Sequence, residues 1–208
     1  MTQKIQIRPA EGRDLEAVYS ICLKTGDAGR DATALYRDPK LVGHIYAAPY
    51  VALDGAVSHV AEDDLGVLGY AVGATDTRAF EQRLERDWWP ALRLQYPEGA
   101  DGAVGEMQDA LRIRSIHHPV PAPDDVVCRF PAHIHMNLLP RARGKGVGSR
   151  LLEAWLAEAR SQSATAVHAG VSAVNKAGLA FWTARGFEPV LEAPESGSRG
   201  TIWCGRQV

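Results

Sequence analysis

Residues 138–156 read LLPRARGKGVGSRLLEAWL. An apolar run stops at Pro140. Three cations, Arg141, Arg143 and Lys145, are then interleaved with Gly144, Gly146 and Gly148. Beyond Val147 and Gly148, the residues Leu151, Leu152, Trp155 and Leu156 fall at helical spacing. Strand, basic glycine-rich turn and helix is the layout of a phosphate cradle. Glycines let backbone approach an anion with no Cβ in the way, successive N–H groups turn inward, and the helix adds the positive end of its dipole. A turn rich in glycine for packing alone would leave three cations in five residues without a role.

Outward from this stretch the pattern alternates between strands and helices. AHIHMNLL (132–139) carries Ile134, Met136 and Leu138 on one face of a strand and His133, His135 and Asn137 on the other. AVHAGVS (166–172) is a second strand, NKAGLAFWTARGF (175–187) a helix stopped by Gly186, and TIWCGR (201–206) a final strand. In the first half, KIQIRPA is a strand ending near Pro9. DLEAVYSICLKT is a helix with Asp14 as its expected N-cap. TGDAGRDAT (25–33) is a polar loop, and DPKLVGHIYAAPYVALD a weaker helix. AVSHVAED and GVLGYAVGATD form a hairpin around Glu62, Asp63 and Asp64, an acidic turn expected to be solvated.

Residues 76–131 break this rhythm. One helical stripe runs through Phe80, Leu84, Trp88, Ala91 and Leu92, with Pro90 kinking it or starting a new helix. A second runs through Met107, Ala110, Leu111 and Arg114, and HHPVPAPDD follows as an extended loop. These stripes are too short to close a core alone, so the region reads as an insertion within one mixed α/β domain spanning 1–208.

The chain has 208 residues, 46% of them hydrophobic, enough for one good-sized core. Its net charge of −2 gives no basic excess for nucleic acid. No run approaches the roughly 18 apolar residues of a membrane span, and the N-terminus has no leader-like apolar region. A cytoplasmic protein is expected. Cys22, Cys128 and Cys204 lie far apart without metal spacing, so reduced cysteines and no metal site are expected.

Three phosphate motifs compete for the loop. A P-loop needs G-x-x-x-x-G-K-[ST], which is absent. A dinucleotide fingerprint needs a glycine where Ser149 stands. R-x-x-G-x-G fits, as Arg143, Gly146 and Gly148. With Asn175, Trp182, Gly186 and Phe187 in the later helix, the sequence resembles the GCN5-related N-acetyltransferases (GNAT) over residues 130–190. The stretches TGDAGRDAT, DTRAF and IHHP make it similar to bacterial stand-alone relatives of the acetyltransferase-like domain of O-GlcNAcases.

The resemblance implies a mostly antiparallel sheet of about six to seven strands flanked by helices, with the helical insertion before the central strand. It implies acetyl-CoA as co-substrate, held by Arg143, Gly144, Lys145, Gly146, Val147 and Gly148. The pantetheine arm would lie in a gap between strands 132–139 and 166–172, against backbone at Met136 and Leu138, with Asn175 on the other wall. The reaction would be direct acetyl transfer to a primary amine, of a small molecule or a peptide. Homodimers are common in the family, which leaves a homodimer open. Candidates for acid–base work are His133 and His135 on the strand, His118 beside His117 on the insertion, and Asp27 beside Asp31 in the 25–33 loop. Trp182 stands where the family usually carries a tyrosine that protonates the leaving sulfur, and an indole is no usable acid. This keeps a second reading open, a non-catalytic binding or regulatory domain that retains the CoA site.

Overall fold

The computed structural model of the protein describes residues 4–99, 108–192 and 200–208. In chain order its elements are β1 (Gln6–Pro9), α1 (Leu15–Thr25), α2 (Leu41–Tyr46), α3 (Ala48–Ala52), β2 (Val57–Asp63) and β3 (Gly66–Ala74). The region 76–131 supplies α4 (Thr77–Asp87), α5 (Trp89–Gln95), α6 (Asp109–His117) and α7 (Asp124–Val127). Then follow β4 (Ala132–Leu138), α8 (Val147–Ser161), β5 (Ala166–Ser172), α9 (Lys176–Thr183), β6 (Glu188–Glu192) and β7 (Thr201–Gln207).

The strands form one seven-stranded sheet in the order β1-β2-β3-β4-β5-β7-β6. Every pairing is antiparallel except β4 with β5. Helices cover both faces. On one, α8 buries Leu151, Leu152, Trp155, Leu156 and Ala159 against β2, β3, β4 and β5. Trp155 is wholly enclosed, and its indole N–H donates to the Val57 carbonyl at 2.9 Å, so the largest apolar side chain of the helix leaves no polar atom unpaired. On the other face, Val18, Ile21 and Cys22 of α1 pack with α2, β2 and β3.

The helices of the 76–131 region join this second layer. Phe80, Leu84, Trp89, Leu92, Ile113 and Ile116 belong to the same buried cluster as α1 and α2. The stripe expected for α6 is turned, however. Leu111 is exposed, while Asp109, Ile113 and Ile116 face inward. Met107 lies outside the described residues. Asp109 is inward because its carboxylate accepts the N–H groups of Arg37 and Asp38, pinning α6 to the loop before α2.

Four further expectations are corrected. The helix expected over 38–54 is two short ones, broken at Ala47 (φ −145°), because Pro49 has no N–H to give and its ring crowds the preceding turn. Asp14 does not cap α1 with its side chain; its carboxylate bonds Arg8 at 2.7 and 2.8 Å and the Glu11 N–H. Asp63 is not a solvated turn residue. It is buried and paired with Arg141, whose second nitrogen also donates to the Val67 carbonyl at 3.0 Å. Finally, β6 was not expected; Pro189 is tolerated there because β6 is an edge strand.

Candidate active site

β4 and β5 pair at only two positions, Ala132 with Val167 and His133 with His168. Past that point they part, and β5 continues its pairing with β7 alone. The Leu139 N–H donates to the Leu68 carbonyl, so strand alternation turns the peptide groups of Leu138 and Met136 to the other edge, into the gap. The chain leaves both strands through a turn that starts a helix, α8 after β4 and α9 after β5. Two helix N-termini therefore flank the mouth of one gap, at the carboxyl ends of its strands, where open sheets bind ligands.

The loop between β4 and α8 has the form expected from its sequence. Gly144 (φ +71°) and Gly146 (φ +69°, the N-cap of α8) are left-handed, and a Cβ on either would meet open space. Gly148 is needed for a different reason: a Cβ there would lie 2.8 Å from Phe181 and 3.2 Å from Leu138. Among the described residues nothing accepts the six successive N–H groups from Gly144 to Ser149. Six adjacent donors on a basic turn at a helix N-terminus form an anion nest. Arg141 is not part of it, being committed to Asp63.

Arg143 reaches across the mouth instead, donating to the Gly29 carbonyl at 2.7 Å. Gly29 belongs to the 25–33 loop, and a Cβ on it would sit 3.8 Å from both amide heavy atoms of Asn175. Asn175 caps α9, its side-chain oxygen accepting the Gly178 N–H at 2.9 Å. The 25–33 loop thus spans from the glycine turn to the start of α9. At its base, Thr25 accepts from the Asn137 side-chain amide and donates to the Ile21 carbonyl at 2.6 Å.

On the α1 face of β4, His133 and His135 have different surroundings. His133 is buried, with Nε2 2.8 Å from the Tyr50 hydroxyl and Nδ1 2.9 Å from Thr77 Oγ1. The Thr77 hydroxyl donates to the Pro131 carbonyl at 2.6 Å. With that proton spent, His133 donates from Nδ1 and accepts the Tyr50 proton at Nε2. Burial, with His135 and His168 alongside, holds it well below the usual histidine range and therefore neutral. Both ring nitrogens are thus taken by protein hydroxyls, and His133 fixes the Tyr50 side chain. His135 is half-buried and packs against Tyr50 and Tyr46 at ring-centroid distances of 5.5 and 6.2 Å. Neither of its ring nitrogens has a hydrogen-bond partner among the described residues. Burial and the nearby His168 push it down to about 4.

The other candidates each have a partner outside β4 and β5. His118 is exposed on the 76–131 region, paired with Glu98 at 2.8 Å, and His117 bonds the Tyr96 carbonyl. Asp27 holds Arg30 at 2.8 Å within its own loop, and Asp31 caps Thr33. Trp182 is buried edge-on against Phe187 and Phe181, with centroids 4.7 and 5.4 Å away. Tyr46, Tyr50 and Thr77 were missed in the sequence because their partners on β4 lie far away in the chain. Only the alternation of β4 said that some residues must cover that face.

A profile of the "Acetyltransferase (GNAT) family" matches residues 117–187. The rat "Protein O-GlcNAcase" is 24% identical over 184 residues, which cover 86% of this chain and 20% of that protein. The chain thus spans about a fifth of the length of the curated relatives it matches. The crystal structure of SsHAT superposes with a TM-score of 0.83 at 32% identity, covering 98% of both chains. The yncA protein of Salmonella typhimurium, solved with its cofactor acetyl-CoA, shares the fold, with a TM-score of 0.57 at 19% identity over 98% of this chain and 93% of that one.

Proposed function

The chain belongs to the GNAT acetyltransferase family, and from that premise we propose that it is an acetyl-CoA-dependent N-acetyltransferase acting on a primary amine by direct transfer. The observation that carries this reading is the juxtaposition of six unpartnered N–H groups, Gly144 to Ser149, with a gap between parallel strands. One end suits a pyrophosphate, and the other suits an arm that pairs as an added strand would.

Acetyl-CoA seated there supplies an activated acetyl group with a thiolate as its leaving group. The chain's own groups do the rest. The glycine loop takes the phosphates, and Lys145 and Arg143 add charge, Arg143 giving up Gly29 to do so. The peptide groups of Met136 and Leu138 hold the arm, and an N–H on this edge receives the developing oxyanion. The amine enters from the His135 face. Its nitrogen forms the C–N bond, the C–S bond breaks with its electron pair going to sulfur, and the amine proton passes to His135 and then to solvent. A pKa near 4 keeps the His135 lone pair available at neutral pH and prevents it from retaining the proton. Holding both reactants in one gap supplies much of the rate.

Calorimetry and a CoA-release assay across a panel of amines test this together. Wild type should bind acetyl-CoA and release CoA with at least one amine. Gly146→Asn, which tolerates the left-handed backbone but adds a Cβ to the nest, should bind more weakly than wild type, and Gly146→Asp, with a like charge there as well, at least about tenfold more weakly than Gly146→Asn. His135→Gln should lose about a hundredfold in kcat with affinity unchanged. Equal binding by both Gly146 variants would remove the phosphate assignment. Tight binding without CoA release from any amine would favour a binding module.

A further inference from the structure

Arg112 stands on α6, in the 76–131 region, and reaches toward the same face of β4. Its guanidinium is half-buried. Nε lies 3.2 Å from the Tyr36 hydroxyl and Nη1 2.7 Å from the Tyr46 hydroxyl, and the group sits over the Tyr46 ring at 5.5 Å from its centroid. Among the described residues no carboxylate comes within 4 Å of it, and Nη2 has no partner. Arg8 and Arg141, also sheltered, are paired with Asp14 and Asp63, whereas Arg185 and Arg206 at the α9 end of the sheet are likewise half-buried with no carboxylate among the described residues. Among the described residues this cation has two phenol hydroxyls for company and no counter-charge, which a cation sheltered in an aromatic pocket favours.

Its position says where that charge would come from. Tyr46 touches Arg112 on one side and the His135 ring, 6.2 Å away, on the other. Tyr46 is also part-exposed (39%), so the pocket is open to solvent at this point. We infer that the acceptor is an amine that also carries a carboxylate, which Arg112 holds while the amine nitrogen meets His135. This rests on the acetyltransferase reading and names the substrate class for that site. The planar guanidinium fork, with Nη2 open, fits a carboxylate edge-on through two parallel hydrogen bonds. The ring distances put His135 within about 12 Å of the guanidinium, less than four extended residues. A single amino acid or a short ω-amino acid spans this, whereas a lysine inside a protein brings no carboxylate to that place.

The test compares matched pairs of acceptors: β-alanine with ethylamine, 4-aminobutyrate with propylamine, 6-aminohexanoate with pentylamine, and free lysine with a lysine amide blocked at its α-nitrogen. For at least one pair, wild-type kcat/KM should favour the carboxylate by about ten- to a hundredfold, the worth of a charged hydrogen-bonded pair. Arg112→Gln should erase the preference and Arg112→Lys should keep part of it, with acetyl-CoA affinity unchanged in both. Should Arg112→Gln not fold, the wild-type ratios and Arg112→Lys decide. Turnover with no preference for a carboxylate, or a preference that survives Arg112→Gln, overturns this inference and leaves acetyl transfer standing. Acetyl-CoA binding with no CoA release from any of these amines overturns this inference, and no release across the wider panel overturns both.

Discussion

Trp182 is where a single residue separates an enzyme from a binding domain. Its ring lies edge-on to Phe187 and Phe181 in the cluster beneath α8 and α9, which is a packing environment. Trp182→Phe should therefore keep the fold and reduce turnover by less than about tenfold, well under the hundredfold expected from deleting a general acid. Steady-state rates at saturating acetyl-CoA check this; a hundredfold loss with affinity and folding intact would give the indole N–H a catalytic part. The two strand histidines carry the same lesson. Alternation put His133 and His135 on one face, but it could not separate them. His133 is closed by Tyr50 and Thr77, which lie 83 and 56 residues away in the chain.

At the scale of elements, the junction of α8 and α9 holds the mouth of the gap together. Phe181 packs where a Gly148 side chain would be, and Arg185 stacks on Phe181 at 3.7 Å while donating to Ser149 Oγ at 2.7 Å. Gly148→Ala must push Phe181 or Leu138 aside, so we expect a loss of about 1–3 kcal/mol and weaker acetyl-CoA binding. Thermal unfolding alongside calorimetry reads both; an unchanged midpoint would mean that the two helices can separate at little cost. This junction was legible in part: the glycine loop and α8 adjoin in the chain and are local patterns, whereas Asn175, expected as a wall for the pantetheine arm, also caps α9. Contacts between distant segments were not. Arg141 looked like a third cation for a phosphate and is the partner of Asp63, 78 residues away. His118, an acid–base candidate by its residue type, pairs with Glu98, 20 residues away. Periodicity says which face of an element is covered; it does not say by what.

The whole molecule buries an unusual share of its histidines, and this sets how it responds to acid. His44, His59, His133 and His168 are buried and His135 is half-buried. Burial, the largest cause in every case, lowers all five below the ordinary value of 6.5. Well above pH 6.5 neither the folded nor the unfolded chain protonates them, and they contribute no pH dependence. Below it the unfolded chain binds protons that the fold refuses, so stability falls with falling pH until each folded value is reached. At pH 5.5, His135, pushed down to about 4, should alone cost about 1.4 kcal/mol, and the other four add to the same sign. The carboxylates act in a separate window. Asp14 is held down by its bond to Arg8; in Asp63, burial is outweighed by the bond to Arg141. Both contribute stability that is lost only as pH drops below their ordinary 3.8. Stability read from the urea midpoint should therefore fall by at least about 1.4 kcal/mol between pH 7.5 and 5.5, before any buried carboxylate is protonated. His135→Gln should recover about 1.4 kcal/mol of that difference, since it removes one of the refused protons. A midpoint that stays level over this range would mean that the histidines take up protons within the fold, and that the face of β4 is wetter than its packing implies.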